Sequence, residues 1–218
     1  MIKNAYRLGV WGASGSGKSY KLEQIIKADK LDRLIVLDPM GDWKYKRGYK
    51  SYKSLPALYK AIKKNWNKKF KFVLDVEDKD NTPLPEILQR ISKDLRVIQE
   101  PYNQNKDNKE LTLVIDEMAD FFPNRTLSKE EQEFSKLCRK GRHYGVNIIG
   151  ASQRIAEVHP SFRGNLSRNY FFRQDEAIDI NRCLQSLGTQ YKSDLIGLAD
   201  YEYLLKEKGQ VTIHKKSK

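Results

Sequence analysis

Gly12-Ala13-Ser14-Gly15-Ser16-Gly17-Lys18-Ser19 satisfies G-x-x-x-x-G-K-[ST] at every fixed position, the pattern of a loop that wraps phosphate. Its glycines let successive backbone N–H groups turn inward with no Cβ in the way, and a helix leaving the loop aims its positive dipole end at the same oxygens. In this pattern Lys18 reaches the β and γ phosphates and the Ser19 hydroxyl holds Mg²⁺, with Tyr20 counted among the ATP-contacting residues. The pattern arises by accident in about one chain in a hundred of this length. Its context narrows that further: Tyr6 to Trp11 reads as a strand feeding the loop, and Ser19 to Ala28 as a helix leaving it, with Leu22, Ile25 and Ile26 on one face.

The whole chain constrains what can surround this loop. Its 218 residues suit one α/β domain over residues 1–214 followed by a short basic tail, Lys215 to Lys218. Lys and Arg number 41 against 28 Asp and Glu, a surplus of 13 positive charges that favours a polyanionic partner such as nucleic acid. Cys138 and Cys183 are the only cysteines and no His cluster occurs, so neither a disulfide framework nor a zinc site is expected. No run approaches the roughly 18 apolar residues of a membrane span, and no signal-peptide core opens the chain. The expectation is a soluble protein of a reducing cytoplasm.

Downstream of the loop, Arg33 to Asp38 reads as a buried parallel strand ending at Asp38-Pro39-Met40-Gly41-Asp42. Asp38 and Asp42 either approach the nucleotide and its metal or close a turn with their own side chains. Trp43 to Lys53 alternates cations with aromatic rings, which suits either a nucleic-acid surface or an edge strand with tyrosines packed inward. A helix from Leu55 to Trp66, capped by Ser54, precedes a third strand at Phe70 to Val76 and a polar loop from Glu77 to Pro83. A long helix from Pro85 to Gln99 follows, then a polar stretch, Tyr102 to Glu110, expected as the most disordered tip.

Leu111-Thr112-Leu113-Val114-Ile115-Asp116-Glu117 is a buried strand ending in two carboxylates. With a phosphate loop upstream, Asp116 is placed to bind the Mg²⁺ shell and Glu117 to orient and polarise the attacking water. Ser128-Lys129-Glu130-Glu131 offers a capping box for a helix that ends in the basic cluster Arg139-Lys140-Gly141-Arg142-His143. The next strand, Val146 to Ser152, ends in Gln153, whose amide can report the presence of the γ-phosphate. Asn169 to Arg173 reads as a strand, Glu176 to Leu187 as a helix burying Ile180, Leu184 and Leu187, and Tyr201 to His214 as a closing hairpin around Lys208-Gly209.

Four segments resemble the FtsK/HerA superfamily of DNA-translocating ATPases. Leu137 to Arg154 resembles its helix, R-x-x-G turn and [TS]-Q-R strand end; Ile35 to Asp42 its D-P-x-G-[ED]; Val114 to Asp120 its I-D-E-x-A-D. Asp194 to Asp200 is similar to L-L-G-x-G-D, with Ala199 replacing the second glycine. The resemblance implies a RecA-like P-loop NTPase core with a mostly parallel sheet flanked by helices, assembled as a homo-oligomeric ring, hexamer or pentamer, that pumps double-stranded DNA with ATP. Arg142 holds the R-x-x-G position of the arginine finger that reaches the neighbouring subunit, with Arg139 and Arg154 as alternatives, and Gln153 holds the sensor position.

Within these 218 residues the sequence shows no counterpart of the membrane region and winged helix of the FtsK pump or of the accessory barrel of HerA. A bare core of this kind is similar to the A32-like and tectivirus-type viral genome-packaging ATPases. That likeness implies host cytoplasm or virion association, with capsid-vertex or membrane proteins as further partners and no integral membrane segment. ATP is preferred to GTP because no N-K-x-D occurs; Asp29-Lys30-Leu31-Asp32 only approaches it. Plasmid and chromosomal translocases, a metabolic P-loop NTPase and a nucleotide-gated DNA-binding protein are the rival readings. A metabolic kinase would need a second substrate pocket and lid that the sequence does not reveal.

Overall fold

In the computed structural model, which describes residues 5–76 and 83–216, nine strands form one sheet in the order β3-β4-β2-β5-β6-β1-β7-β8-β9. The strands are β1 (Arg7–Trp11), β2 (Arg33–Asp38), β3 (Lys50–Tyr52), β4 (Phe70–Asp75), β5 (Leu111–Asp116), β6 (Val146–Ser152), β7 (Arg168–Phe171), β8 (Tyr203–Glu207) and β9 (Gln210–His214). From β3 to β7 every pairing is parallel, and β8 and β9 close the far edge antiparallel. The expected α/β architecture with a mostly parallel sheet and a C-terminal hairpin is therefore what the chain forms. Lys208 and Gly209 both have positive φ, the turn geometry that matches the twist of a two-residue hairpin.

The helices are α1 (Lys18–Ala28), α2 (Leu55–Asn65), α3 (Leu84–Ile98), α4 (Glu100–Asn103), α5 (Met118–Phe121), α6 (Glu133–Lys140), α7 (Pro160–Arg163), α8 (Ala177–Leu187) and α9 (Lys192–Ile196). Alternation along the strands sorts the core into two layers. Leu34, Val36, Val114 and Ile149 pack with Leu22, Ile25 and Ile26 of α1, while Ile35, Leu37, Leu113 and Ile115 pack with α2, α3 and α6. Burial on both faces explains why these strands read as continuous apolar runs. Among the described residues, no helix is long and apolar enough to cross a membrane.

Several sequence expectations shift. The Phe70 strand is the fourth, because Lys50–Tyr52 forms a short parallel edge strand inside the cation-aromatic stretch. In that stretch Trp43 is fully buried, Tyr49 meets it edge to face at 5.4 Å and Tyr52 packs on Phe72, whereas Tyr45 is 83% exposed. The inward-packed reading holds for all the rings but Tyr45. The tip expected to be disordered is anchored: Tyr102 is buried, and the Asp107 carboxylate accepts from the Trp66 indole at 2.8 Å. At the expected capping box, Glu131 returns to the Ser128 N–H at 3.0 Å, but the Ser128 hydroxyl turns to Glu130 and a 3₁₀ turn precedes α6. Ile180 is only half-buried; Asp179 takes the inner position. The loop expected from Glu77 to Pro83 lies, up to residue 82, outside the described residues, as do Ser217 and Lys218 of the tail.

Candidate functional site

The order β5-β6-β1 sets three parallel strands side by side, so their C-terminal ends open on one edge of the sheet, where ligands of such folds bind. The phosphate loop leaves β1 there and α1 follows it. Gly12 sits under the loop with no room for a side chain: a Cβ would lie 2.6 Å from both Phe172 Cβ and Ser16 Oγ. Gly17 has φ +108 and backs onto Tyr201, where a Cβ would come within 2.8 Å of the ring. The loop is braced by Ala13 N–H donating to the Arg173 carbonyl at 2.8 Å and Tyr201 N–H donating to the Ser16 carbonyl at 2.8 Å. Ser16 is fully buried and its hydroxyl has no partner; Ser14, Gly15, Ser19 and Tyr20 are exposed along the mouth.

Lys18 Nζ donates to the Ala13 carbonyl at 2.9 Å, which folds the side chain back over the loop. Burial pulls its pKa down, and the carboxylates of Glu117 and Asp116 pull it back up. Asp116, at the end of β5, accepts a hydrogen bond from the Trp43 indole Nε1 at 2.6 Å. Glu117 takes the left-handed conformation, φ 66, and so turns its carboxylate towards the end of β6. There it accepts from the Ser152 hydroxyl and, at 3.3 Å to each oxygen, from the Gln153 backbone N–H. Burial raises the pKa of both carboxyl groups above the usual range; the hydrogen bonds from Trp43 and Ser152 oppose it.

The structure thus brings Lys18, Asp116, Glu117 and the Gln153 backbone together, with the Gln153 side chain exposed beside them. Asp38 does not join them. Its buried carboxylate accepts from Gly41 N–H at 3.0 Å and Trp43 N–H at 2.7 Å, which is the turn reading, and Asp42 is exposed. Arg142 lies in a 3₁₀ turn before β6, at the other end of that strand. Seven residues at about 3.3 Å each put roughly 20 Å between the two ends. Arg139 is exposed on the last turn of α6, whereas Arg154 is tied to buried Asp179 at 2.6 Å and to Glu157.

Beside the loop lies a cavity of about 540 Å³ lined by Gly17, Tyr20, Lys21, Tyr201, Tyr203 and Lys216, among others. Tyr20 and Tyr201 meet edge to face at 5.8 Å, and the Lys216 ammonium stands 4.7 Å over the Tyr201 ring. Tyr201, expected in a strand, instead turns at φ 69 ahead of β8. The described part of the tail is therefore docked at this cavity. The sequence assigns none of Ser152, Trp43 and Tyr201 to the nucleotide site. Ser152 stood in the quoted strand end, but no local pattern marked which partner its hydroxyl would find.

The residues fit a Mg²⁺-nucleotide. No side chain caps α1 and no acidic residue occupies its first turn, so its N-terminal amides suit an anion. Among the described residues no group of three or more His, Cys, Asp or Glu could cage a metal. One carboxylate and one hydroxyl, Asp116 and Ser19, suit Mg²⁺, which keeps waters and shares phosphate oxygens.

Residues 10–192 match the family model described as Zonular occludens toxin (Zot). The chain belongs to the Zot family. That places it among the FtsK/HerA-like P-loop ATPases, as the four resembling segments implied. No curated protein matches the sequence. Among solved structures the chain is similar to the genome packaging NTPase B204 of Sulfolobus turreted icosahedral virus 2 in complex with ATP-gammaS. The TM-score is 0.71 at 18% identity, over 99% of this chain and 98% of that one. VirB4 of Thermoanaerobacter pseudethanolicus matches with TM-score 0.66 at 13% identity, over 97% of this chain and 89% of that one. The cytoplasmic domain of the Thermomonospora curvata type VII secretion ATPase EccC matches with TM-score 0.63 at 18% identity, over 96% of this chain and 25% of that one. At these identities the likenesses establish a RecA-like fold for this Zot-family chain.

Proposed function

We propose that this protein is an ATP-driven translocase of double-stranded DNA that packages a viral genome into a preformed capsid. The observation that carries the reading is the placement of Glu117 on the Ser152 hydroxyl and the Gln153 N–H, across from Lys18 and beside Asp116. An acceptor held this way can orient a water and take its proton. The loop from Gly12 to Ser19 cradles the phosphates, Lys18 neutralises the β and γ oxygens, and Ser19 and Asp116 hold Mg²⁺. When bound, Mg²⁺ supplies charge neutralisation on the β and γ phosphates. Gln153 reads the γ-phosphate. The cavity beside Tyr20, next to the loop, is the space that would take the nucleobase and ribose.

Arg142 is exposed in the turn at the opposite end of β6 from its own loop, which supports a role on the neighbouring subunit's nucleotide within a homo-oligomeric ring. The surplus of 13 positive charges supports a phosphate-backbone partner. B204, described as a genome packaging NTPase, matches this chain along nearly the whole length of both, which favours packaging over other duplex transport. Its working place would be the host cytoplasm or the virion, against a capsid vertex or membrane protein.

The test is ATP hydrolysis with and without long duplex DNA, with Glu117→Gln as the blank. Stimulation by duplex that disappears in high salt is the expected result. Equal turnover by assembled protein with and without DNA would remove the motor reading.

A further inference from the structure

The segment Asp38-Pro39-Met40-Gly41-Asp42-Trp43 contributes no group to the hydrolysis chemistry described above, yet its structure leads into that site. Asp38 ends β2, and its carboxylate, 1% exposed, accepts from the N–H of Gly41 and of Trp43. Gly41 takes φ +76, a conformation that favours glycine, and this winds the chain back over the sheet edge. The turn delivers Trp43, with no solvent exposure, so that its indole N–H meets Asp116 Oδ2 at 2.6 Å. Tyr49 packs edge to face on the Trp43 ring, and the Lys46 ammonium stands 4.2 Å over it while pairing with Glu23 of α1.

We propose that Trp43 is a positioning residue for Asp116, set by the Asp38 turn, and that it fixes which carboxylate oxygen faces the metal. The indole N–H occupies Oδ2 and leaves Oδ1 as the oxygen free of that bond. Indole donates and cannot accept, so it supports the ionised carboxylate and cannot hold its protonated form through the same contact. A carboxylate oriented by an outer donor binds metal better than a freely rotating one, and losing such a donor typically costs about 10- to 100-fold in metal affinity or activity. Asp38, buried and saturated by backbone donors, is the anchor that fixes the indole's direction.

The inference rests on Asp116 being the metal-side carboxylate. The test is Trp43→Phe, which keeps an aromatic ring and removes the N–H, with AMPPCP binding measured by calorimetry as a function of Mg²⁺. The expected result is that AMPPCP affinity in EDTA and the far-ultraviolet circular dichroism stay at wild-type values while the Mg²⁺ needed for half-maximal enhancement rises about tenfold. Asp38→Asn, which weakens one of the two anchoring hydrogen bonds, shifts the same quantity in the same direction if Trp43→Phe fails to fold. An unchanged Mg²⁺ requirement in the folded variant overturns the proposal. Asp116→Asn separates the two levels: if it too leaves the Mg²⁺ requirement unchanged, the metal-side reading of Asp116 falls and the Trp43 proposal with it. If Asp116→Asn raises the requirement and Trp43→Phe does not, only the Trp43 proposal falls.

Discussion

The hydroxyl of Ser152, at the end of β6, donates to the carboxylate of Glu117, 35 residues earlier at the end of β5. Glu117 must be ionised to act as a base, so activity falls as pH drops through its pKa. Burial places that pKa above the ordinary carboxylate range, and the Ser152 and Gln153 hydrogen bonds pull it down. In Ser152→Ala one of these supports is gone and the pKa rises further. The acid limb of the kcat pH profile should move to higher pH, and kcat at neutral pH should fall about tenfold, the equivalent of one hydrogen bond to a charged group. A profile that superimposes on wild type would mean that Ser152 does not tune Glu117.

Lys18→Ala should lose nucleotide binding, because the ammonium lies at the mouth of the loop beside both carboxylates. Glu117→Gln should bind ATP with near wild-type affinity and fail to turn it over. Equilibrium binding of a fluorescent ATP analogue and a phosphate-release assay separate the two defects.

Arg142→Ala should abolish hydrolysis while leaving nucleotide affinity intact, since the residue sits at the end of β6 away from its own loop. Mixing it with Lys18→Ala should restore part of the activity, because a mixed ring contains interfaces with one intact finger and one intact loop. A finger of this kind is worth about 10³ to 10⁵ in rate, so even partial restoration is measurable. No recovery at any mixing ratio would remove Arg142 from this role.

Duplex stimulation of the ATPase should decline steeply with salt. Each neutralised phosphate contributes a slope of about −0.9 in log affinity against log salt for B-form DNA, and sequence changes in the duplex should leave affinity unchanged. Fluorescence anisotropy on two unrelated duplexes over a salt series reads both quantities.

Gly150 lies in the middle of β6, where an added Cβ would stand 2.4 Å from Met118 Cε and 2.7 Å from the Phe162 ring. Gly150→Ala should therefore overpack the layer under the site and lower stability by about 1–3 kcal/mol. Urea denaturation with an unchanged m-value is the check; a shift below about 0.5 kcal/mol would show that Met118 moves aside without cost.

The phosphate loop, the β5 strand with its two terminal carboxylates and the closing hairpin were legible because each is written in adjacent residues. Glycine spacing, an unbroken apolar run and a turn dipeptide act locally, and their consequence does not depend on the rest of the chain. The same holds for the α/β class, which follows from strands and helices alternating along the sequence. Which groups support the site was not legible. Trp43 reaches Asp116 across 73 residues, and Tyr201 reaches the loop from beyond β7. In the cation-aromatic stretch the sequence left two readings open, and burial of Trp43 with inward packing of Tyr49 and Tyr52 decided between them for those rings. These contacts exist because the sheet order places β2 beside β5 and β7, with β8 on it, beside β1, and neither β2 and β5 nor β1 and β7 are consecutive in the chain. Local pattern fixes what each element is; the order in which elements pack decides which side chains meet, and no periodicity within one segment encodes a partner in another.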